Sequence, residues 1–256
     1  MARIISIHSF RGGTGKSNTT ANLAYMIARR DHRVGIIDTD IQSPGIHVLF
    51  RLSPDQIKFA LNDYLRGDCP IEQAAYDVSA ELCHNGQAPA PGGSIHLIPS
   101  SIKTGEIASI LRDGYDVGRL NDGIQEMVTK LQLNYLLIDT HPGVNEETLL
   151  SIAISDVLIL VLRPDHQDYQ GTAVTVDLAR QLDVARMLAV VNKVPRGMDT
   201  EQVAEQVRTT FGIDVAAVLP LSEEVARLAS ERLFCPLYPD HEITRLYEKL
   251  AVQVAA

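Results

Sequence analysis

A doubly wound α/β fold, with a mostly parallel sheet flanked by helices, is predicted by three observations in the 256-residue sequence. Short β-branched or aliphatic runs alternate with stretches of helical period. Several of those runs are apolar throughout, as strands covered on both faces must be. The stretches between them are long enough for the crossovers that parallel pairing demands.

The first run, Arg3–His8, leads into a glycine-rich turn and a helix near 17–30. That helix ends in Arg29-Arg30-Asp31-His32-Arg33, where cations suit the negative end of the helix dipole. The second run, Val34–Asp38, ends in acid and precedes a helix near 55–66. Next, His84 to Ser94 (HNGQAPAPGGS) reads as a mobile surface loop. The strand Ile95–Pro99 beyond it is still needed to complete the sheet, so residues 1–256 read as one domain with a flexible loop near 84–94. Helix near 119–132, strand Tyr135–Asp139, helix near 145–154 and strand Val157–Leu162 follow. Helix near 168–182, strand Met187–Asn192, helix near 199–211 and strand Val215–Pro220 continue the alternation. Helices near 222–231 and 241–252 finish it.

An apolar content of 45% with 21% charged residues excludes a disordered chain. The net charge of −9 argues against a wholesale nucleic-acid coat. Residues 1–66 nevertheless carry 9 basic and 5 acidic groups, so an anion site belongs in the first quarter. Cys69, Cys83 and Cys235 form no metal-binding spacing and suit a reducing compartment. Met1 to Ile7 is too short for a signal peptide, and Asp156 interrupts the apolar stretch Leu149–Leu162. A soluble cytoplasmic protein is expected.

The strongest chemical signal is Phe10-Arg11-Gly12-Gly13-Thr14-Gly15-Lys16-Ser17, between a strand and a helix. Glycines there bring backbone N–H groups against a phosphate, and the helix N-terminus adds its positive end. Lys16 can reach the terminal phosphates, and the Ser17 hydroxyl can ligate magnesium. Two further strands end in acid: Asp38-Thr39-Asp40 and Asp139-Thr140-His141-Pro142-Gly143. Ligands in doubly wound sheets bind at such strand ends. A buried strand delivering Asp139 is the layout that holds magnesium. Asp40 is suited to orient an attacking water or to hold a metal-bound one.

The segment Arg11–Ser17 resembles the deviant Walker A motif, K-G-G-x-G-K-[ST], of the ParA/MinD ATPases, with Arg11 where that family carries its signature lysine. Asp38 to Gly45 resembles the family's switch I and Asp139 to Gly143 its switch II, with His141 replacing a proline. The resemblance implies ATP and Mg²⁺ as ligands and an ATP-dependent homodimer in which Arg11 reaches the partner's phosphates. It assigns Gly12, Gly13, Thr14, Gly15, Lys16, Ser17 and Gly143 to the phosphates and counts Asn18 among the nucleotide-binding residues. It gives Asn192, Pro220 and Ser222 to the adenine, the hydrolytic water to Asp40, a supporting place around the magnesium to Asp38, and catalysis to Lys16, Asp40 and Arg11. His141 reads as a loop histidine rather than a base. An ATPase-stimulating or cargo-adaptor protein is the implied partner, with non-specific DNA as an additional surface.

The stripe Ile243, Leu246, Tyr247, Leu250 and Val254 reads as a packed terminal helix rather than the basic membrane anchor of MinD-type members. Two alternatives to an ATPase that positions or segregates cargo stay open. One is a non-hydrolysing nucleotide-gated adaptor, and the other an Mrp-type iron–sulfur carrier.

Overall fold

A computed structural model describes residues 2–83 and 92–255, so residues 84–91 of the expected mobile loop lie outside the described residues. β1 (Arg3–His8) feeds α1 (Lys16–Ala28), and β2 (Arg33–Asp38) is followed by the short α2 (Ile46–Leu49) and by α3 (Leu61–Arg66). The two-residue β3 (Tyr76–Asp77) precedes β4 (Ser94–Ile98), α4 (Thr104–Asp113) and α5 (Val117–Lys130). Strand and helix then alternate through β5 (Tyr135–Asp139), α6 (Glu146–Ala153), β6 (Val157–Leu162) and α7 (His166–Gln181). β7 (Met187–Val194), α8 (Thr200–Phe211) and β8 (Asp214–Pro220) extend the pattern. α9 (Glu223–Arg227), α10 (Phe234–Leu237) and α11 (Glu242–Ala255) complete it.

Eight strands form one sheet in the order β3-β4-β2-β5-β1-β6-β7-β8. All neighbours are parallel except β3, which pairs antiparallel with β4. Alternate residues point to opposite faces, so Ile36 and Leu137 join one core while Ile37, Leu136 and Ile138 join another. The first core packs against α1, α10 and α11. On the opposite face, α3 and α5 cover one half of the sheet, and α7 and α8 cover the half around Leu158, Leu160 and Val191. Helix α1 is buried along most of its length, which fixes the turn before it against the sheet.

The stripe on α11 is a core element: Ile243, Tyr247, Leu250 and Val254 are buried with α1 and β8. Arg3 and Arg186 donate to the carbonyls of Val254 and Gln253, which satisfies the open end of that helix. No helix among the described residues is long and apolar enough to cross a membrane.

The expected helix over 55–66 is divided. Pro54–Gln56 forms one 3₁₀ turn. The amides of Lys58 and Phe59 then donate to the Tyr76 hydroxyl, at 2.8 and 3.0 Å, and so leave the helical ladder. Helix α4, absent from the sequence reading, buries Ile110 alone. The helix expected at 222–231 stops at Arg227, because Ala229 and Ser230 adopt left-handed backbone.

Candidate functional site

Three adjacent strands, β2, β5 and β1, bring the expected residues to one edge of the sheet. Asp38 lies opposite Asp139 in register, and Ile7, just before the glycine turn, lies opposite Asp139 on the other side. Gly13 and Gly15 take φ of 76° and 101°, a region that favours glycine. Gly15 caps α1, whose first residue Lys16 is buried. A Cβ added at Gly12 or Gly13 would meet nothing, so this cradle is open above the backbone.

The two carboxylates are fully buried. Burial pushes Asp38 well above the usual carboxylate range, and the neighbouring Asp139 and Asp40 push it further. Burial likewise raises Asp139, while Ser17, Lys16 and Thr20 pull it back. Thr20 Oγ1 donates to Asp139 Oδ1 at 3.1 Å. Asp38 Oδ1 accepts the Asp40 amide at 3.0 Å, and its Oδ2 has no partner. Two buried acids, one orphaned oxygen and a nearby hydroxyl are a donor set for a hard cation. No cluster of three or more His, Cys, Asp or Glu side chains forms a metal cage among the described residues. Magnesium takes one or two carboxylates and draws its remaining ligands from water and substrate phosphates, so the two acids and the hydroxyl fit it.

Asp40 and His141 are brought together. The ring Nδ1 lies 2.7 Å from Asp40 Oδ1, and the Ser43 amide donates to the same oxygen at 3.1 Å. His141, expected as a bystander of the loop, therefore contacts the residue expected to orient water. Its carbonyl accepts from Thr148 Oγ1 on α6.

A second histidine, His8, ends β1 beneath the same loop. Thr140 Oγ1 gives its proton to the Ile7 carbonyl, so it accepts from His8 Nδ1 at 2.8 Å. Burial, with Lys16 and His141 nearby, lowers His8 to about 3 and keeps it neutral.

A cavity of about 380 Å³ adjoins the glycine turn, bounded by Asn18, Asn192, Pro220, Ser222 and Tyr247 among others. Ser222 also caps α9 through its Oγ. Asn192 crosses to the turn, donating from Nδ2 to the Thr14 carbonyl at 2.7 Å. Lys193, in left-handed backbone, donates from Nζ to the Gly13 carbonyl at 2.7 Å. Gly143 has φ 84°, and its amide donates to the Ser9 carbonyl. Arg11 turns away from the cradle onto α7, where it donates to Gln167 Oε1. Phe10 packs on the same helix at Gly171.

Sequence reasoning missed Thr20, His8 and Lys193. Thr20 was legible as one helical turn beyond Ser17, and Lys193 as the neighbour of Asn192. Nothing local marked His8. Cys69 and Cys235 are buried in cores on opposite faces of the sheet, so they cannot share a cluster within this chain.

A strand, a glycine turn on a helix N-terminus and two acidic strand ends define a P-loop nucleotide-binding protein. Residues 5–234 match the CobQ/CobB/MinD/ParA nucleotide-binding domain, and the chain belongs to that family of MinD/ParA-type ATPases. An uncharacterised ATP-binding protein of Methanocaldococcus jannaschii is 25% identical over 257 residues, covering 99% of this chain and 88% of its own length. The chromosome partitioning protein ParA of Caulobacter vibrioides is 28% identical over 244 residues, covering 89% and 84%. Among solved structures, the septum site-determining protein MinD of Pyrococcus horikoshii, complexed with Mg-ADP, superposes with a TM-score of 0.79. It shares 21% identity and covers 99% of this chain and 96% of its own.

Proposed function

We propose that the chain is a Mg-ATP-dependent dimerising switch that hydrolyses ATP slowly and uses the cycle to position or segregate a cellular cargo in the cytoplasm. The observation that carries this reading is the in-register pair Asp38–Asp139 beside the open glycine cradle, with an acid oxygen left unpartnered. Family membership and relatives named for septum placement and chromosome partitioning support it.

In this reading the amides from Gly12 to Ser17, the positive end of α1 and Lys16 hold the phosphates. Ser17 and Asp139 hold magnesium, with Asp38 and Asp40 around them, and the cation supplies charge neutralisation on the phosphates when bound. Asp40 orients the attacking water. Asn18, Asn192, Pro220 and Ser222 border the base and ribose, and Asn192 must exchange its bond to Thr14 for one to adenine. Gly143 must likewise turn its amide from Ser9 to the terminal phosphate. Arg11 must leave Gln167 to act across a dimer, where its planar fork suits phosphate oxygens. All these roles fall on one domain, and a second protein that stimulates hydrolysis or carries cargo completes the cycle.

Particle mass measured with ADP and with ATP plus magnesium, for wild type and for Arg11→Ala, tests the reading. A dimer with ATP only, lost in the variant, is expected. Asp40→Ala should lower phosphate release while keeping the ATP dimer. Equal background release from both proteins would favour the non-hydrolysing adaptor instead. DNA retardation at low and moderate salt tests the proposed additional surface, since phosphate contacts weaken steeply with salt.

A further inference from the structure

We propose that His141 is the positioning residue for Asp40, the tie that couples the loop after β5 to the loop after β2. The inference rests on the assignment of Asp40 to the attacking water.

A carboxylate only accepts, so His141 Nδ1 carries the proton and donates to Asp40 Oδ1. That oxygen also accepts the Ser43 amide. One oxygen of Asp40 is therefore fixed by two donors arriving from different loops. Its other oxygen makes no hydrogen bond among the described residues and is left to accept from water. A nucleophile is oriented well only by a group whose own rotamer is locked.

His141 is itself held from two sides. Its carbonyl accepts from Thr148 Oγ1, on a helix capped by Asn145. The preceding residue, Thr140, is pinned by the Ile7 carbonyl and by His8. The loop that carries Gly143 thus has a firm root, and His141 extends that root to Asp40. A rearrangement that turns the Gly143 amide toward a terminal phosphate passes through two residues to His141, and from its ring to Asp40. The position of the water-orienting acid then depends on what occupies the phosphate cradle. A proline at 141 could make no such bond, because it has no donor.

The test compares phosphate release and ATP affinity in wild type, His141→Ala, His141→Asn and Asp40→Ala. The Asn amide can donate from nearly the position of the imidazole Nδ1. The expected outcome is that His141→Ala lowers kcat by roughly tenfold to a hundredfold, with ATP affinity changed less than about twofold. His141→Asn should restore kcat to within a few-fold of wild type. A structural role alone would lower thermal stability and affinity together, with Asn no better than Ala. Wild-type kcat in His141→Ala, or no rescue by Asn, overturns the inference while Asp40→Ala still reports on the hydrolytic reading. Wild-type turnover in Asp40→Ala overturns that reading and this inference with it.

Discussion

Replacing Asp139 by Asn tests the cation assignment through stability, independently of turnover. Asp139 is 1% exposed. Burial is the largest influence on its acidity, and the balance with Ser17, Lys16, Thr20 and Asp40 moves it from 3.8 to about 6. At 1.36 kcal/mol for each tenfold change in acidity, ionising it in the folded protein costs about 3 kcal/mol. The folded chain holds this proton more tightly than the unfolded chain. The contribution is therefore intact below the unfolded value and lost as pH rises through about 6. Asp38 shifts in the same direction, with burial as the main cause, and adds its own loss as pH rises. Asn keeps an oxygen to accept from Thr20 and removes the charge. At pH 8 without nucleotide the variant should melt above wild type by about 1–3 kcal/mol, or roughly 2–12 °C for a chain of this size. Near pH 4 the two should converge. Scanning calorimetry across this range, repeated with ATP and magnesium, measures both. The ligands should raise the wild-type Tm markedly and that of the variant little. A variant that melts below wild type at pH 8, or gains as much from ATP and magnesium, would refute the reasoning.

Gly171→Ala would set a Cβ among the Phe10 ring atoms. It should cost about 1–3 kcal/mol in a denaturant melt, and a second change, Phe10→Gly, should recover most of it. His8→Asn keeps a donor for Thr140 and removes a base held down to about 3. A lowered histidine contributes stability that is present above its ordinary value and lost as pH falls. The acid limb of Tm against pH should therefore flatten below about pH 6. Arg186→Ala frees the Gln253 carbonyl at the end of α11. It should cost about 0.5–1.5 kcal/mol and speed amide hydrogen exchange in the last turn of that helix.

The central strands were legible because they are buried on both faces and so contain almost nothing polar until their ends, whereas the two-residue β3 is too short to form a run and was missed. Val157–Leu162 is apolar at every position, and Tyr135–Asp139 turns acidic only where it reaches the site. The glycine turn and the acids announced themselves by chemistry. What stayed hidden depends on contacts remote in the chain. The Tyr76 hydroxyl dissolves the first half of the expected helix over 55–66 from 17 residues away. Helix α4 offers one buried side chain, too little to set a period. His141 looked incidental because its partner lies 101 residues earlier, and only the pairing of β2 with β5 makes them neighbours.

That pairing has an energetic consequence. The crossover through α1 carries the chain past one strand position, and β5 later fills the gap between β1 and β2. Neighbouring strands lie about 4.8 Å apart, so the acids ending β2 and β5 are held close in a site from which water is largely excluded. Without a cation, ionising them opposes folding, first because they are buried and then because Asp139 and Asp40 crowd Asp38, and the two strands that carry them are locked in register. In the proposed reading, a divalent cation brought in by a polyphosphate would relieve that cost, so part of the binding free energy would be the removal of a defect already present in the fold. In that reading the defect would discriminate between ligands. A monovalent cation would neutralise less of the paired charge, and a nucleotide without magnesium would add anionic oxygens beside two acids. The unliganded protein should therefore gain far less stability from ATP in the presence of a chelator than from the magnesium complex. Equal gains in the two conditions would mean that the carboxylates lie outside the ligand's field, and that the glycine turn alone does the binding.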